Sequence, residues 1–345
     1  MITPGSPAGG TVHTLGERAL IERLVSRFPP SPLPFAVGIG DDAAVVRPVR
    51  NALEVLTTDA QVESIHFDRR FSTLEDAGYR ALAVTVSDIA AMGGVPRLAL
   101  VSLLLPGTTT VDDVEALGNG LGRMARDARI GIAGGNISRT PGPLTIDITV
   151  TGTVGSRKFL TRGGGRAGDY VYVSGTLGAA AAGLDWLRVT GAGSEGQPED
   201  VAMSACVARY RRPEPRARLG ALLGRTSAAT ACMDLSDGLA DAATQVAVAS
   251  RTGIRLDAEA LPIDPGATAW FGSRGVDALV AALSSGDDYE LVFTVPPKGG
   301  GRLRSAMRLA QGLRVTKVGV LTREPDIVLM RNGRPERMPR GFEHF

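Results

Sequence analysis

The chain has 345 residues, 43% of them hydrophobic and 21% charged, with a formal net charge of +2. That length suits two domains with a sizeable core, and so even a charge balance predicts no nucleic-acid or membrane partner. Cys206 and Cys232, the two cysteines, form neither a C-x-x-C pair nor a metal spacing, and read as small buried side chains in a reducing compartment.

The start, Met1 to Gly5, lacks a basic segment followed by an apolar one, so no signal peptide is expected and the location is read as cytoplasmic. A short amphipathic helix is predicted over 16–27, then a Pro-rich turn at 29–34. Strands follow at 36–39, 43–47 and 53–59. Residues 73–92 read as a long helix closed by Gly93, Gly94 and Pro96. The apolar run 98–105 is a strand, too short to span a bilayer. A second amphipathic helix occupies 110–128, with strands at 131–134 and 144–154. The glycine-rich stretch 161–169 (TRGGGRAGD) is the candidate boundary, dividing the chain into 1–160 and 161–345. The second half opens with a strand at 170–174 and an Ala-rich helix at 175–188. Residues 190–200 read as a mobile surface loop. Helices are expected at 202–210, 215–224 and 234–250, a strand at 253–257, a helix at 276–284 and a strand at 289–295. Segments 303–312 and 316–320 and a hairpin at 327–334 end the pattern. Strands and helices mix without strict alternation, which is an α+β chain in two domains.

Acidic residues recur beside small residues in apolar settings. Asp41 and Asp42 adjoin within 37–46 (VGIGDDAAVV). Two ionised carboxylates about 4 Å apart repel by roughly 4 kcal/mol at an effective dielectric of about 20. Either a turn leaves both in water or a cation offsets them. Asp59 follows Thr57 and Thr58. Asp88 sits in a helix that is otherwise almost wholly apolar, where burying it unpaired would cost several kcal/mol. An Arg or backbone amides could satisfy it, but oxygen donors with no His or Cys cluster nearby favour Mg2+. Asp234, Ser236 and Asp237 precede a helix, where capping needs only one such residue; a cap that also holds phosphate or metal accounts for three. Asp287, Asp288 and Glu290 form a further group. No G-x-x-x-x-G-K-[ST], no protein-kinase signature and no Ser-His-Asp arrangement occurs. Scattered carboxylates and glycine turns fit phosphoryl transfer on another fold, where positioning and charge neutralisation supply most of the rate.

Eight stretches together resemble thiamine-monophosphate kinase: Gly38–Ala43 (GIGDDA), Thr57–Phe67 (TTDAQVESIHF), Ser87–Gly93 (SDIAAMG), Gly134–Arg139 (GGNISR), Leu160–Gly163 (LTRG), Asp234–Gly238 (DLSDG), Ser285–Leu291 (SGDDYEL) and Gly341–Phe345 (GFEHF). Each is weak alone; their order and spacing are specific from about residue 15 to the last. The resemblance implies an N-terminal α+β domain with a mixed sheet that pairs in a homodimer, and a C-terminal layered α/β domain completing the active site. It implies transfer of a phosphoryl group from ATP to thiamine monophosphate, direct and in line, with several Mg2+ ions. On the same ground Asp42, Thr57, Thr58, Asp59, Asp88, Asn136, Asp234 and Asp237 would ligate metal. Gly135, Asn136, Arg162 and Ser236 would meet ATP, and His66, Asp287 and Phe342, with His344, the substrate. Two positions depart from the family pattern: Asn136, where Asp is frequent, and Asp287, where Glu is common. Sister enzymes fit less well. Selenophosphate synthetase would need a reactive Cys or selenocysteine in residues 1–60, which hold none, and the hydrogenase-maturation dehydratase ends in Cys where this chain ends in Phe345. The remaining alternative is a nucleotide-binding homologue without turnover.

Overall fold

A computed structural model of the protein describes residues 11–341. Helices α1 (Val12–Leu15) and α2 (Glu17–Val25) lead to a small antiparallel pair, β1 (Phe35–Val37) and β2 (Val45–Val46). The first sheet and its helices follow: β3 (Ala52–Val62), α3 (Leu74–Ala91), β4 (Val95–Pro106), α4 (Val111–Ala128), β5 (Gly131–Thr140) and β6 (Thr145–Gly155). The strands lie in the order β3-β6-β4-β5; β4 and β5, joined through α4, are parallel and the other pairs antiparallel. Thr73 with Asp76, and Thr110 with Asp113, form capping boxes that start α3 and α4.

Alternation along β6 decides which face is buried. Ile146, Ile148 and Val150 are fully buried against the helices, while Thr145, Asp147, Thr149 and Thr151 lie half-buried on the opposite, open face. Leu56 on β3 and Leu100 on β4 share that open face and are 70% and 45% exposed.

The second half contains β7 (Tyr170–Ser174), α5 (Ala179–Thr190), α6 (Val201–Arg211), α7 (Ala217–Thr226), β8 (Ala231–Asp234), α8 (Leu239–Ser250), β9 (Gly253–Asp257), α9 (Pro265–Ser273), α10 (Ala278–Ser284), β10 (Leu291–Val295), α11 (Gly300–Ala310), β11 (Val315–Thr322), β12 (Ile327–Arg331) and β13 (Arg334–Arg337). Its seven-stranded sheet runs β13-β12-β9-β11-β7-β10-β8 and is antiparallel except where β12 meets β9. The fold is therefore α+β on mixed sheets, as the element pattern predicts, with α8 on one face of the second sheet and α7 and α11 on the other.

Three sequence expectations are corrected, and one helix is added. Residues 234–250 are not one helix: β8 ends at Asp234, a turn follows, and α8 begins at Leu239. Helix α9 was unanticipated, although Asp264 caps it and Pro265 opens it. Strand β5 continues past Gly134 to Thr140, because pairing with β4 outweighs the local glycines; at Gly135 a Cβ would stand 1.8 Å from the Val101 carbonyl oxygen. Strand β10 starts at Leu291 rather than 289, since Tyr289 has φ +47°. No helix among the described residues is long and apolar enough to cross a membrane.

Helix α3 holds the two halves together. All its residues except Glu75 and Asp88 are buried. It packs against α4, β3 and β6 on one side and against α7 and β8 on the other. Its approach to α4 requires Gly120, where a Cβ would lie 1.9 Å from the Glu75 carbonyl oxygen. Gly120→Ala is expected to force the helices apart and to destabilise by about 1–3 kcal/mol. Gly272→Ala on α9, where a Cβ meets nothing within 4 Å, is expected to leave stability level or slightly raised. Thermal unfolding of both variants checks this, and a Gly120→Ala protein that melts with the parent refutes the packing argument.

Candidate active site

Strand β3 alternates, so Thr57 and Asp59 face α3 while Thr58 faces the other way. The Thr57 hydroxyl donates to Asp88 Oδ2 at 2.5 Å. One residue earlier on α3, the Ser87 hydroxyl donates to Asp234 Oδ2 at 2.8 Å. Asp234 ends β8 and is 5% exposed. Asp59, Asp88 and Asp234 thus come from three elements and from both halves of the chain.

Their proximity shows in the titration of Asp59 and Asp234. Burial first, then the charges of Asp88 and Asp234, push the Asp59 carboxyl up to about 7, and Asp59 shares a hydrogen bond with Asp88. Burial and the Asp88 charge push Asp234 up to about 7 as well; the Ser87 hydroxyl and the Arg162 charge act in the opposite direction. Without a counter-cation Asp59 and Asp234 are partly protonated near neutral pH. An all-oxygen donor set of carboxylates and hydroxyls suits a hard divalent cation. Among the described residues no three His, Cys, Asp or Glu side chains stand in a metal-ligating group, so the carboxylates are neighbours and not a finished cage.

A cavity of about 540 Å³ opens beside the cluster, lined by Thr57, Asp88 and Asp234 at its polar end and by Met92, Val154 and Phe159 among its apolar walls. Its volume is that of a small-molecule site. Arg162, from the connection between the halves, also lines it. Its guanidinium is held by the Gln245 side chain at 2.5 Å, which in turn donates to Asp241 one helical turn earlier on α8. Ser236 and Asp237 occupy the turn from β8 to α8, where the Ser236 hydroxyl donates to Asp237. Gly286 packs onto this turn with no room for a side chain, its Cβ position lying 2.1 Å from the Ser236 carbonyl oxygen. The Asp287 amide donates to the same carbonyl at 2.8 Å. Asp287 is therefore delivered next to the Asp234–Gly238 turn.

Other expected site residues lie elsewhere. Asp42 is exposed on the segment between β1 and β2, where Asp41 accepts the Asp42 amide as a turn residue would. Thr58 is on the open face, donating to Asp147. Asn136 shares that face on β5, the far edge strand, roughly 14 Å from β3 at ordinary strand spacing. Gly135 faces the helices instead. His66 is half-buried in the turn after β3, its Nδ1 accepting the Val62 amide at 3.1 Å. Phe342 and His344 lie outside the described residues; Gly341, just before them, packs on Asp237 and Asp241.

Three residues of this region escaped sequence reasoning. Ser87 is hidden beside the conspicuous Asp88. Arg80 carries no local signal in the sequence, yet it is buried against Asp287. Asp147 had a usable signal: it is an acid at an outward position of an alternating strand.

The chain matches two family models, "AIR synthase related protein, N-terminal domain" over residues 40–154 and "AIR synthase related protein, C-terminal domain" over 166–332. Thiamine-monophosphate kinase of Bacillus subtilis is 33% identical over 90% of this chain and 93% of its own length. A crystal structure of thiamine-monophosphate kinase from Stenotrophomonas maltophilia superposes with a TM-score of 0.81 at 32% identity, covering 92% of this chain and 96% of that one. The protein AaThiL, solved in complex with AMPPCP and TMP, gives 0.75 at 31% identity, over 98% of this chain and all of that one.

The raised carboxyls set a pH dependence. Asp59 and Asp234 have folded-state values above their ordinary 3.8. Between about pH 4 and pH 7 the folded state holds more protons than the unfolded chain, so stability falls as pH rises through that window. Asp288, also buried and pushed up to about 7, contributes in the same direction and is retained in the variant. In chelator-treated protein the melting temperature is expected to drop between about pH 4 and pH 7, and Asp234→Asn is expected to flatten the drop. An equally steep drop in the variant would contradict the cluster's role.

Proposed function

The chain belongs to the thiamine-monophosphate kinase family of AIR synthase related proteins, and we propose that it phosphorylates thiamine monophosphate at the carboxylate cluster beside the cavity. The reaction consumes ATP and yields thiamine diphosphate and ADP. The observation that carries this site assignment is that Asp88 and Asp234, from the two halves, line one cavity with Arg162, with Asp59 close enough to both to feel their charge.

Arg162 is suited to the nucleotide phosphates, pre-oriented by Gln245 and Asp241. Ser236 meets the nucleotide at the β8–α8 turn, and Gly135 and Asn136 contribute from β5. Asp59, Asp88 and Asp234, with Thr57 and Asp237, are the proposed holders of Mg2+; Asp42, Thr58 and Asn136, which lie apart from this cluster, are assigned to metal on the family resemblance alone. When bound, Mg2+ would neutralise phosphate charge that these carboxylates would otherwise repel. His66, Asp287 and Phe342 are assigned to the substrate. The accepting phosphate oxygen is already ionised at neutral pH, so no side chain has to remove a proton, and transfer is direct and in line.

We assign the domains as 1–160 and 161–345, a division that falls between the two family-model matches and between the two sheets. A homodimer pairing the N-terminal sheets suits the open face, which exposes Leu56 and Leu100 beside Thr58 and Asn136. The protein is assigned to the cytoplasm, in keeping with its two buried, unpaired thiols.

Purified protein with Mg2+, ATP and thiamine monophosphate is expected to form thiamine diphosphate, followed by chromatography. Asp88→Asn should lower the rate by about a hundredfold or more. ATP binding without product would point to a sister enzyme or a non-catalytic homologue. For the dimer, Leu100→Asp should move the particle mass by light scattering from two chains to one; an unchanged mass would place the interface elsewhere.

A further inference from the structure

Arg80 is a charged side chain in the centre of α3, only 4% exposed. Its guanidinium is bound on three sides. Nη2 donates to Asp287 Oδ1 at 2.5 Å, Nη1 to the Tyr210 carbonyl at 2.9 Å and Nε to Gln61 Oε1 at 3.3 Å. The rings of Tyr210 and Tyr289 lie 5.6 and 5.8 Å from its central carbon. The fork cannot rotate without breaking several contacts at once.

Asp287, by contrast, sits on a strained loop. It has φ +73°, Tyr289 two residues on has φ +47°, and both are conformations that side chains other than glycine rarely adopt. The loop is tied to the turn after β8, the Asp287 and Tyr289 amides donating to Ser236 and Leu235. The Asp287 side chain keeps about a third of its surface in solvent. One carboxylate oxygen is thus fixed by a cation from the other half of the chain, while the group still faces outward beside the site.

We propose that Arg80 is a positioning residue for thiamine monophosphate: it holds the short Asp287 carboxylate at the orientation the substrate meets, and so governs affinity for that substrate and not for ATP. This rests on the kinase reading and on Asp287 facing the substrate. A shorter acid reaches less far than Glu, so a rigid anchor matters more for it. The competing explanation is a clamp that only joins the two halves; it would affect both substrates alike.

Steady-state kinetics of the parent, Arg80→Met, Arg80→Lys, Asp287→Asn and the double variant Arg80→Met with Asp287→Asn separate the two. Arg80→Met is expected to raise KM for thiamine monophosphate about tenfold, with KM for ATP within about twofold of the parent. Arg80→Lys, which keeps the charge but loses the fork, should fall between them. The double variant should be no worse than the worse single one, because both break one contact. Equal rises in both KM values, a loss confined to kcat, or multiplying effects would overturn the proposal. If Arg80→Met does not fold, Arg80→Lys is read by the same criteria. A parent that makes no thiamine diphosphate overturns the kinase reading and this proposal together; a competent parent with a variant of parental KM overturns the proposal alone.

Discussion

The enforced proximity of Asp59, Asp88 and Asp234 is the constraint on which the rest of the structure depends. Three carboxylates in a partly desolvated place repel one another, and two of them are pushed up to about 7 as a result. No element could hold such a group alone. Strand β3, helix α3 and strand β8 each supply one member, and hydroxyl donors from Thr57 and Ser87 tie neighbouring elements together at those carboxylates. The cost of the repulsion is borne by a large apolar core: Leu82, Ile89, Ile146 and Ile148 are wholly buried around the same helix. Strain concentrated at a site and offset elsewhere is a recurrent mark of function.

Helix α3 is the means by which the two halves share that site. A helix exposed on one side would need a polar stripe; this one is covered on nearly every side and is apolar through most of its length. Against that background its polar residues are informative. Ser87 reaches Asp234 on β8, Asp88 accepts from Thr57 on β3, and Arg80 crosses to the loop before β10. The Ser87 and Arg80 contacts both join the two halves, so one helix carries side chains that reach into both.

Much of this was legible in the sequence because the relevant signals are local. Caps at Thr73 and Thr110 mark α3 and α4, alternation marks β6, and an acid in an apolar helix marks Asp88. What was not legible depends on contacts between distant residues. The strand β8 is too short and too uniformly buried to alternate, so Asp234 was read as part of the helix that follows it. Asn136 was grouped with the cluster by resemblance, but side-chain alternation and strand order put it on the other face and the opposite edge of the sheet. Nothing local distinguishes Arg80 from a surface cation.

The tripeptide Gly-Asp-Asp, present at 40–42 and 286–288, shows how far context decides the chemistry of a motif. In the first copy both acids are exposed and Asp41 merely accepts the next amide, so water screens the repulsion. In the second, Asp287 meets the buried Arg80. Asp288 is fully buried and accepts the Gly178 amide at the start of α5, where desolvation raises its carboxyl to about 7. Two neighbouring carboxylates there are separated not by distance but by assignment: one is given a cation, the other a helix terminus. Among the described residues the first copy shows neither partner, and its acids stay at the surface, whereas the Asp288 carboxylate is committed to the fold.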